Sequence, residues 1–295
     1  MKILSVFNQK GGVGKTTTVV NLAVALNYLD KKVLVIDIDP QANTTTGLGL
    51  DKYNIENSLY ELFYAGEEHD EESTDLESLE ESEALDEQDE QVDKLDQADD
   101  QIVIDINKYI SKTDSGVDII PSEAALSGLE VELVDFDPLE RTQQLKSIIG
   151  LLDEDQYDYI LIDCPPSLGL LSINALCASN SILIPVQAEY YALEGISELM
   201  NTYNLVKQQI NPDLEIEGVL LTMFDKRTFL SYEVVEEVKS YFKTKVFKVM
   251  IPRNPRLAEA PSHGLSTIEY DLKSQGAHAY ISLATEIIES EGSDD

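Results

Sequence analysis

The sequence predicts an α/β protein: a mainly parallel, twisted sheet flanked by helices, of the P-loop type. Three observations point there. Short apolar runs such as Ile3-Leu4-Ser5-Val6-Phe7, Val33-Leu34-Val35-Ile36 and Tyr159-Ile160-Leu161-Ile162 lack the polar alternation of a sheet with one wet face. Between such runs lie segments of about 10 to 18 residues with helical spacing, as parallel strands need for their crossovers. The first run leads directly into a glycine-rich turn and then a helix-like stretch, Val19-Val20-Asn21-Leu22-Ala23-Val24-Ala25-Leu26. We read residues 1–295 as one domain, interrupted by an acidic insert at about 67–100.

That first turn, Asn8-Gln9-Lys10-Gly11-Gly12-Val13-Gly14-Lys15-Thr16-Thr17-Thr18, carries the chemistry. Strand, glycine loop and helix with Gly-Lys-Thr at the joint let successive backbone N–H groups turn inward on phosphate oxygens. The positive end of the helix dipole adds to the same site. Lys15 is placed to reach the β and γ phosphates, and the Thr16 hydroxyl to ligate Mg²⁺. The usual spacing puts a glycine five residues before Gly14, but here that residue is Gln9, and a second lysine, Lys10, opens the loop. Lys10 is not needed to form the turn, which leaves it free for a different phosphate contact or for solvent.

The second apolar run ends at Asp37-Ile38-Asp39-Pro40-Gln41. Carboxylates at the C-terminal end of a strand beside a phosphate loop lie where open α/β sheets bind ligands. A strand period of two would point Asp37 and Asp39 the same way, to hold a metal-bound water or orient an attacking one. Gln41 to Gly49 reads as loop or helix start, and Ser58 to Tyr64 as a short helix. Beyond the insert, Ile102 to Ile110 is ambiguous between helix and strand, and Gly116 to Ser122 is a strand ending at a helix cap. Glu123 to Val134 and Leu139 to Leu152 are amphipathic helices. Tyr157-Asp158-Tyr159-Ile160-Leu161-Ile162-Asp163 has the texture of a strand that sets a metal-holding aspartate, Asp163, beside the loop. Ser181 to Val186, Gly218 to Met223 and Val246 to Ile251 are further strands. Ala192 to Ile210, Tyr232 to Phe242 and Ile281 to Ile288 are helical.

Composition bounds the rest. An apolar fraction of 43% is ample for a core. No run is long enough to span a membrane, and no signal-peptide pattern opens the chain. Cys164 and Cys177 show no metal spacing and fit a reducing cytosol, with Cys164 a small buried hydrophobe. The net charge of −35 argues against a generally DNA-adhesive surface. The stretch from Glu67 to Asp100 holds 18 acidic residues and one basic residue, Lys94, with almost nothing to bury, and we expect it to lack order.

Several stretches together resemble the ParA/Soj partition ATPases of the ParA/MinD superfamily, with its deviant Walker A loop. They are Lys10 to Thr17, Asp37 to Gln41, Ile162-Asp163-Cys164-Pro165-Pro166-Ser167-Leu168-Gly169, Glu189 to Gly195, and Ile251-Pro252-Arg253-Asn254-Pro255-Arg256-Leu257-Ala258-Glu259-Ala260-Pro261-Ser262. The likeness covers nearly all of the chain except the acidic insert. It implies a cytoplasmic, nucleoid-associated ATPase that uses ATP and Mg²⁺ in chromosome or plasmid partition. Two copies would face each other across two ATP molecules, with Lys10 reaching the partner's phosphates. Gly11, Gly12, Val13, Gly14, Lys15, Thr16 and Thr17 would cradle the nucleotide, and Pro252 and Asn254 would lie against the adenine. Asp39 would position the attacking water, while Thr16, Asp37 and Asp163 would serve the metal. The ATP dimer would bind DNA without sequence preference, and a ParB-like centromere-binding protein would stimulate hydrolysis. DNA contacts would fall to basic residues such as Lys207, Lys226 and Arg227, with Lys239, Lys243, Lys245 and Lys248 nearby in sequence. A related ATPase that positions a protein cargo would share these motifs. A MinD-like membrane switch would call for a basic amphipathic helix at the end of the chain, and the stretch Thr285 to Asp295 is acidic instead.

Overall fold

The computed structural model of the chain describes residues 1–65, 104–189 and 192–292. The expectation of disorder at 67–100 lies outside the described residues. In chain order, β1 (Lys2–Val6) leads through the glycine loop into α1 (Lys15–Tyr28) and β2 (Val33–Asp37). Two short helices follow, α2 (Asn43–Gly47) and α3 (Leu59–Tyr64). A 3-10 turn at Ile106–Tyr109 precedes β3 (Ser111–Lys112) and β4 (Asp118–Ile120). Next come α4 (Leu126–Glu132), α5 (Glu140–Ile149), β5 (Tyr159–Asp163), α6 (Leu170–Ala178) and β6 (Ser181–Gln187). The remainder is α7 (Ala192–Gln209), β7 (Glu215–Phe224), α8 (Phe229–Phe242), β8 (Val246–Pro252), α9 (Pro255–Glu259), α10 (Thr267–Tyr270) and α11 (Gln275–Glu291).

The strands form one eight-stranded sheet in the order β3-β4-β2-β5-β1-β6-β7-β8, parallel except for the two-residue edge strand β3. Every residue of β2 and β5 is buried, as strands covered on both faces require. Alternate side chains divide between two cores. Leu34, Ile36, Ile160 and Ile162 join the cluster under α3 to α8, whereas Val33, Val35 and Leu161 join the one under α1 and α11. From β1 the chain crosses to β2 on one side, and from β5 it passes β1 to reach β6 on the other. The loop after β1 therefore opens at the point where the winding reverses, the crevice in which such sheets bind ligands.

Local sequence explains several boundaries. Ser58 and Glu61 close a reciprocal capping box on α3, and Ser266 and Glu269 do the same on α10. The ambiguous stretch before Ile110 resolves, over its described part, into a 3-10 turn capped by Asp105. Strand β7 begins earlier than expected, at Glu215, and Ile281 to Ile288 lies, as expected, within a last helix, α11, which starts at Gln275. Strand β2 stops at Asp37, so the strand period does not extend to Asp39, which is placed by a turn. Among the described residues no helix is long and apolar enough to cross a membrane.

Candidate functional site

Residues 8–14 run from the end of β1 into α1 as a turn that needs its glycines. Gly12 (φ +75°) and Gly14 (φ +94°) have left-handed backbones, which side chains rarely tolerate. A Cβ at Gly11 or Gly12 would meet nothing within 4 Å, so the loop encloses open space rather than packing on itself. The loop is held from outside. The Asn8 amide donates to the Pro185 carbonyl (2.7 Å), and Asn8 Oδ1 accepts from the Lys10 backbone N–H (2.9 Å). Gln9 Nε2 reaches Thr202 Oγ1 (2.9 Å), and Thr222 Oγ1 donates to the Val13 carbonyl (2.8 Å). Strands β6 and β7 and helix α7 thus fix the curvature of the loop.

Beneath the loop, Lys15 is almost fully buried, and among the described residues its amine makes one long hydrogen bond, 3.5 Å to the Lys10 carbonyl. Burial lowers its pKa, against the pull of Asp163, Cys164 and Asp39. The amine is a desolvated cation with donors to spare, suited to a polyanion. Asp163, wholly buried at the end of β5, accepts at Oδ2 from Thr16 Oγ1 (2.8 Å) and Thr44 Oγ1 (2.6 Å). Its Oδ1 is buried without a partner among the described residues. A buried carboxylate oxygen left open beside a threonine hydroxyl is a hard-oxygen donor set that fits Mg²⁺, with the remaining ligands supplied by water and phosphate. Asp37, also wholly buried, takes the Thr45 backbone N–H (2.8 Å) and hydroxyl (2.7 Å) on Oδ2. Burial raises the pKa of both Asp37 and Asp163; the charges of Asp163 and Asp39 push Asp37 further up, and that of Asp39 does the same to Asp163. A divalent cation would relieve this crowding of negative charge.

Asp39 is nearly buried in the turn past β2, where its Oδ1 accepts from the Gln41 N–H (3.0 Å). Lys10, Lys15, Thr16, Asp37, Asp39 and Asp163 therefore stand on or beside one crevice at the C-terminal ends of β1, β2 and β5. Pro252 ends β8 opposite Phe224, and Asn254 caps α9 by accepting from the Arg256 N–H (2.9 Å). Both occupy the same rim of the sheet as the loop. The basic residues are not brought together. Lys226 and Arg227 follow β7 at this rim, whereas Lys207, in the last turn of α7, reaches the start of β7, donating to Glu215 (2.6 Å) and the Leu214 carbonyl (2.8 Å). The strand between them spans about 30 Å. Arg227 is itself chelated by Asp225 at 2.9 and 2.7 Å. Cys164 is buried, and burial pushes its thiol up, as expected of a packing residue.

Sequence reasoning missed Thr44 and Thr45, whose hydroxyls hold the Asp163 and Asp37 carboxylates, Ser122, whose hydroxyl holds the Asp39 backbone carbonyl, and Thr222, whose hydroxyl holds the loop. The Thr44-Thr45-Thr46 run just past Asp39-Pro40-Gln41 was the available signal.

Comparison with known proteins agrees with this geometry. Residues 1–216 match a family described as an AAA domain. The chain is 49% identical to the sporulation initiation inhibitor protein Soj of Bacillus subtilis, over 97% of this chain and 98% of that one. It is 43% identical to the chromosome partitioning protein ParA of Myxococcus xanthus, over 97% of this chain and 88% of that one. Among solved structures it is similar to cobyrinic acid a,c-diamide synthase of Mycobacterium smegmatis with bound ADP and magnesium. That match has a TM-score of 0.77 and 29% identity, covering 100% of this chain and 97% of that one.

Proposed function

The chain belongs to the Soj/ParA family of chromosome-partitioning ATPases, and from that premise we propose that it is an ATP-driven partition switch. Two copies close over two ATP molecules, the closed pair holds duplex DNA without sequence preference, and hydrolysis stimulated by a ParB-like partner releases it. The reading places the protein on the nucleoid in the cytoplasm. Its strongest support is the convergence of Lys15, Thr16 and Asp163 under the glycine loop, with one buried Asp163 oxygen still open.

Each side chain has a task in this reading. The backbone N–H groups of residues 11–17 and the α1 dipole hold the phosphates. Lys15 balances the charge of the β and γ groups from below, and Lys10, which among the described residues is hydrogen-bonded through its backbone, reaches across to the facing copy. Thr16 and Asp163 hold Mg²⁺, with Asp37 supporting them. The ion supplies charge neutralisation on the phosphates when bound. Asp39 orients the attacking water and takes up its proton. Pro252 and Asn254 flank the adenine. The exposed Lys226 and Arg227 contribute to DNA contact at the rim of the glycine loop, and Lys207, at the opposite end of β7, contributes less.

Size analysis of Asp39→Ala with and without ATP tests the core of this. We expect a monomer without nucleotide, and with ATP a dimer that persists because hydrolysis is lost. A monomer under both conditions would count against closure over nucleotide.

A further inference from the structure

We propose that Ser122 is a positioning residue for hydrolysis, because its hydroxyl fixes the backbone from which Asp39 presents its carboxylate. The inference rests on the reading of Asp39 as the residue that orients water. Ser122 follows β4 and is fully buried. Its Oγ donates to the Asp39 carbonyl at 2.6 Å, and its backbone N–H donates to Thr45 Oγ1 at 3.0 Å. Thr45 in turn donates its hydroxyl and N–H to Asp37 Oδ2, and the Asp39 N–H donates to Asp37 Oδ1 (3.2 Å). Asp37, Asp39, Ser122 and Thr45 thus close a hydrogen-bonded ring between the carboxylate that supports the metal and the one that faces the water.

The ring surrounds a strained turn. The Asp39 carbonyl also accepts from the Ala42 N–H (2.9 Å), and Ala42 has φ +52°, a left-handed backbone at a residue with a side chain. Such conformations persist where their surroundings fix them, and they gather at functional sites. Because Ala42 already satisfies the Asp39 carbonyl, Ser122 does not rescue an unmet acceptor. It occupies the second lone pair and ties the turn to a neighbouring strand. Ser122 is itself clamped. Pro121 accepts from the Leu59 N–H (2.9 Å), and the Ser58 hydroxyl donates to Glu123, so helix α3 grips the residues on either side. A carboxylate that directs an attacking water must be held to within a fraction of an ångström, and a displacement of about 1 Å costs about a hundredfold in rate.

The test compares Ser122→Ala and Ser122→Cys with Asp39→Ala, measuring ATP turnover, affinity for a fluorescent ATP analogue, and thermal midpoint. Ser122→Ala removes the donor at almost unchanged volume, and Ser122→Cys replaces it with a weak S–H donor on a slightly larger side chain. We expect turnover to fall about 10- to 100-fold with analogue affinity and midpoint unchanged. If affinity and midpoint fall together with turnover, Ser122 is merely structural. Parental turnover in both Ser122 variants, with Asp39→Ala inactive, would overturn the positioning role and leave the reading of Asp39 intact. Full turnover in Asp39→Ala would remove both.

Discussion

Two glycines show how differently a single residue can matter. Gly14 sits at φ +94° with room around it, since an added Cβ would meet only the Thr222 methyl at 3.9 Å. Its cost on substitution is therefore backbone strain, about 1 kcal/mol, and it lies where the loop turns its N–H groups inward. Gly218, in β7 opposite Leu183 where the pairing with β6 is bulged, has an ordinary backbone, yet a Cβ there would meet the Phe247 ring at 2.5 Å. Urea melts should show Gly218→Ala losing about 1–3 kcal/mol through overpacking with ATP-analogue affinity retained. Gly14→Ala should instead lose affinity while costing less stability. Lys15, Thr16 and Asp163 were legible in the sequence because their residue types stand at spacings that only a phosphate loop and its flanking strand explain. Thr44, Thr45, Ser122 and Thr222 were not. Hydroxyl residues are common, and what these do depends on which strand ends the fold brings together.

At the scale of elements, the central strands were readable because burial on both faces leaves unbroken apolar runs. Helix α6 was not, since nearly every side is buried and it shows no polar stripe. The start of α11 was hidden by Gly276, an unpromising residue for a helix that is kept because a Cβ there would strike Leu257 at 2.9 Å. This last helix is tied to the opposite end of the sheet from the glycine loop. Lys2 pairs with Glu217 (2.8 Å) and Glu291 (2.9 Å), and the Tyr159 hydroxyl donates to Glu291 (2.7 Å). Burial and the hydrogen bond to Glu291 raise the Tyr159 pKa. Burial pulls the Lys2 pKa down, but its two carboxylate partners outweigh that and raise it. The folded state thus keeps both protons to higher pH than the unfolded chain, where phenol and amine titrate near about 10. The stability they contribute is full below that pH and declines as pH rises through their folded values. Thermal melts between pH 8 and 11 should show the midpoint falling above about pH 10, and falling less in Tyr159→Phe.

For the whole molecule the governing quantity is a net charge of −35, against which any contact with DNA must come from a local cationic patch. Lys226 and Arg227 stand at the rim that carries the glycine loop, whereas Lys207 lies by the opposite end of β7; Arg227 and Lys207 are each paired with a carboxylate, Asp225 and Glu215. Duplex binding measured with ATP across a salt series should therefore weaken in Lys226→Ala and Arg227→Ala. Each lost phosphate contact should lower the slope of log affinity against log salt by about 0.9, with Lys207→Ala close to the parent. A slope lowered only in Lys207→Ala would place the contact at the opposite end. In sequence, the most negative stretch of the chain falls between α3 and the 3-10 turn at Ile106–Tyr109, and these two elements pack against each other. The two are neighbours, so the scaffold imposes no span on what joins them. Because the entropy of closing a connection between neighbouring ends grows only with the logarithm of its length, a change in the number of residues between α3 and the 3-10 turn asks little of the sheet and helices that the two elements join.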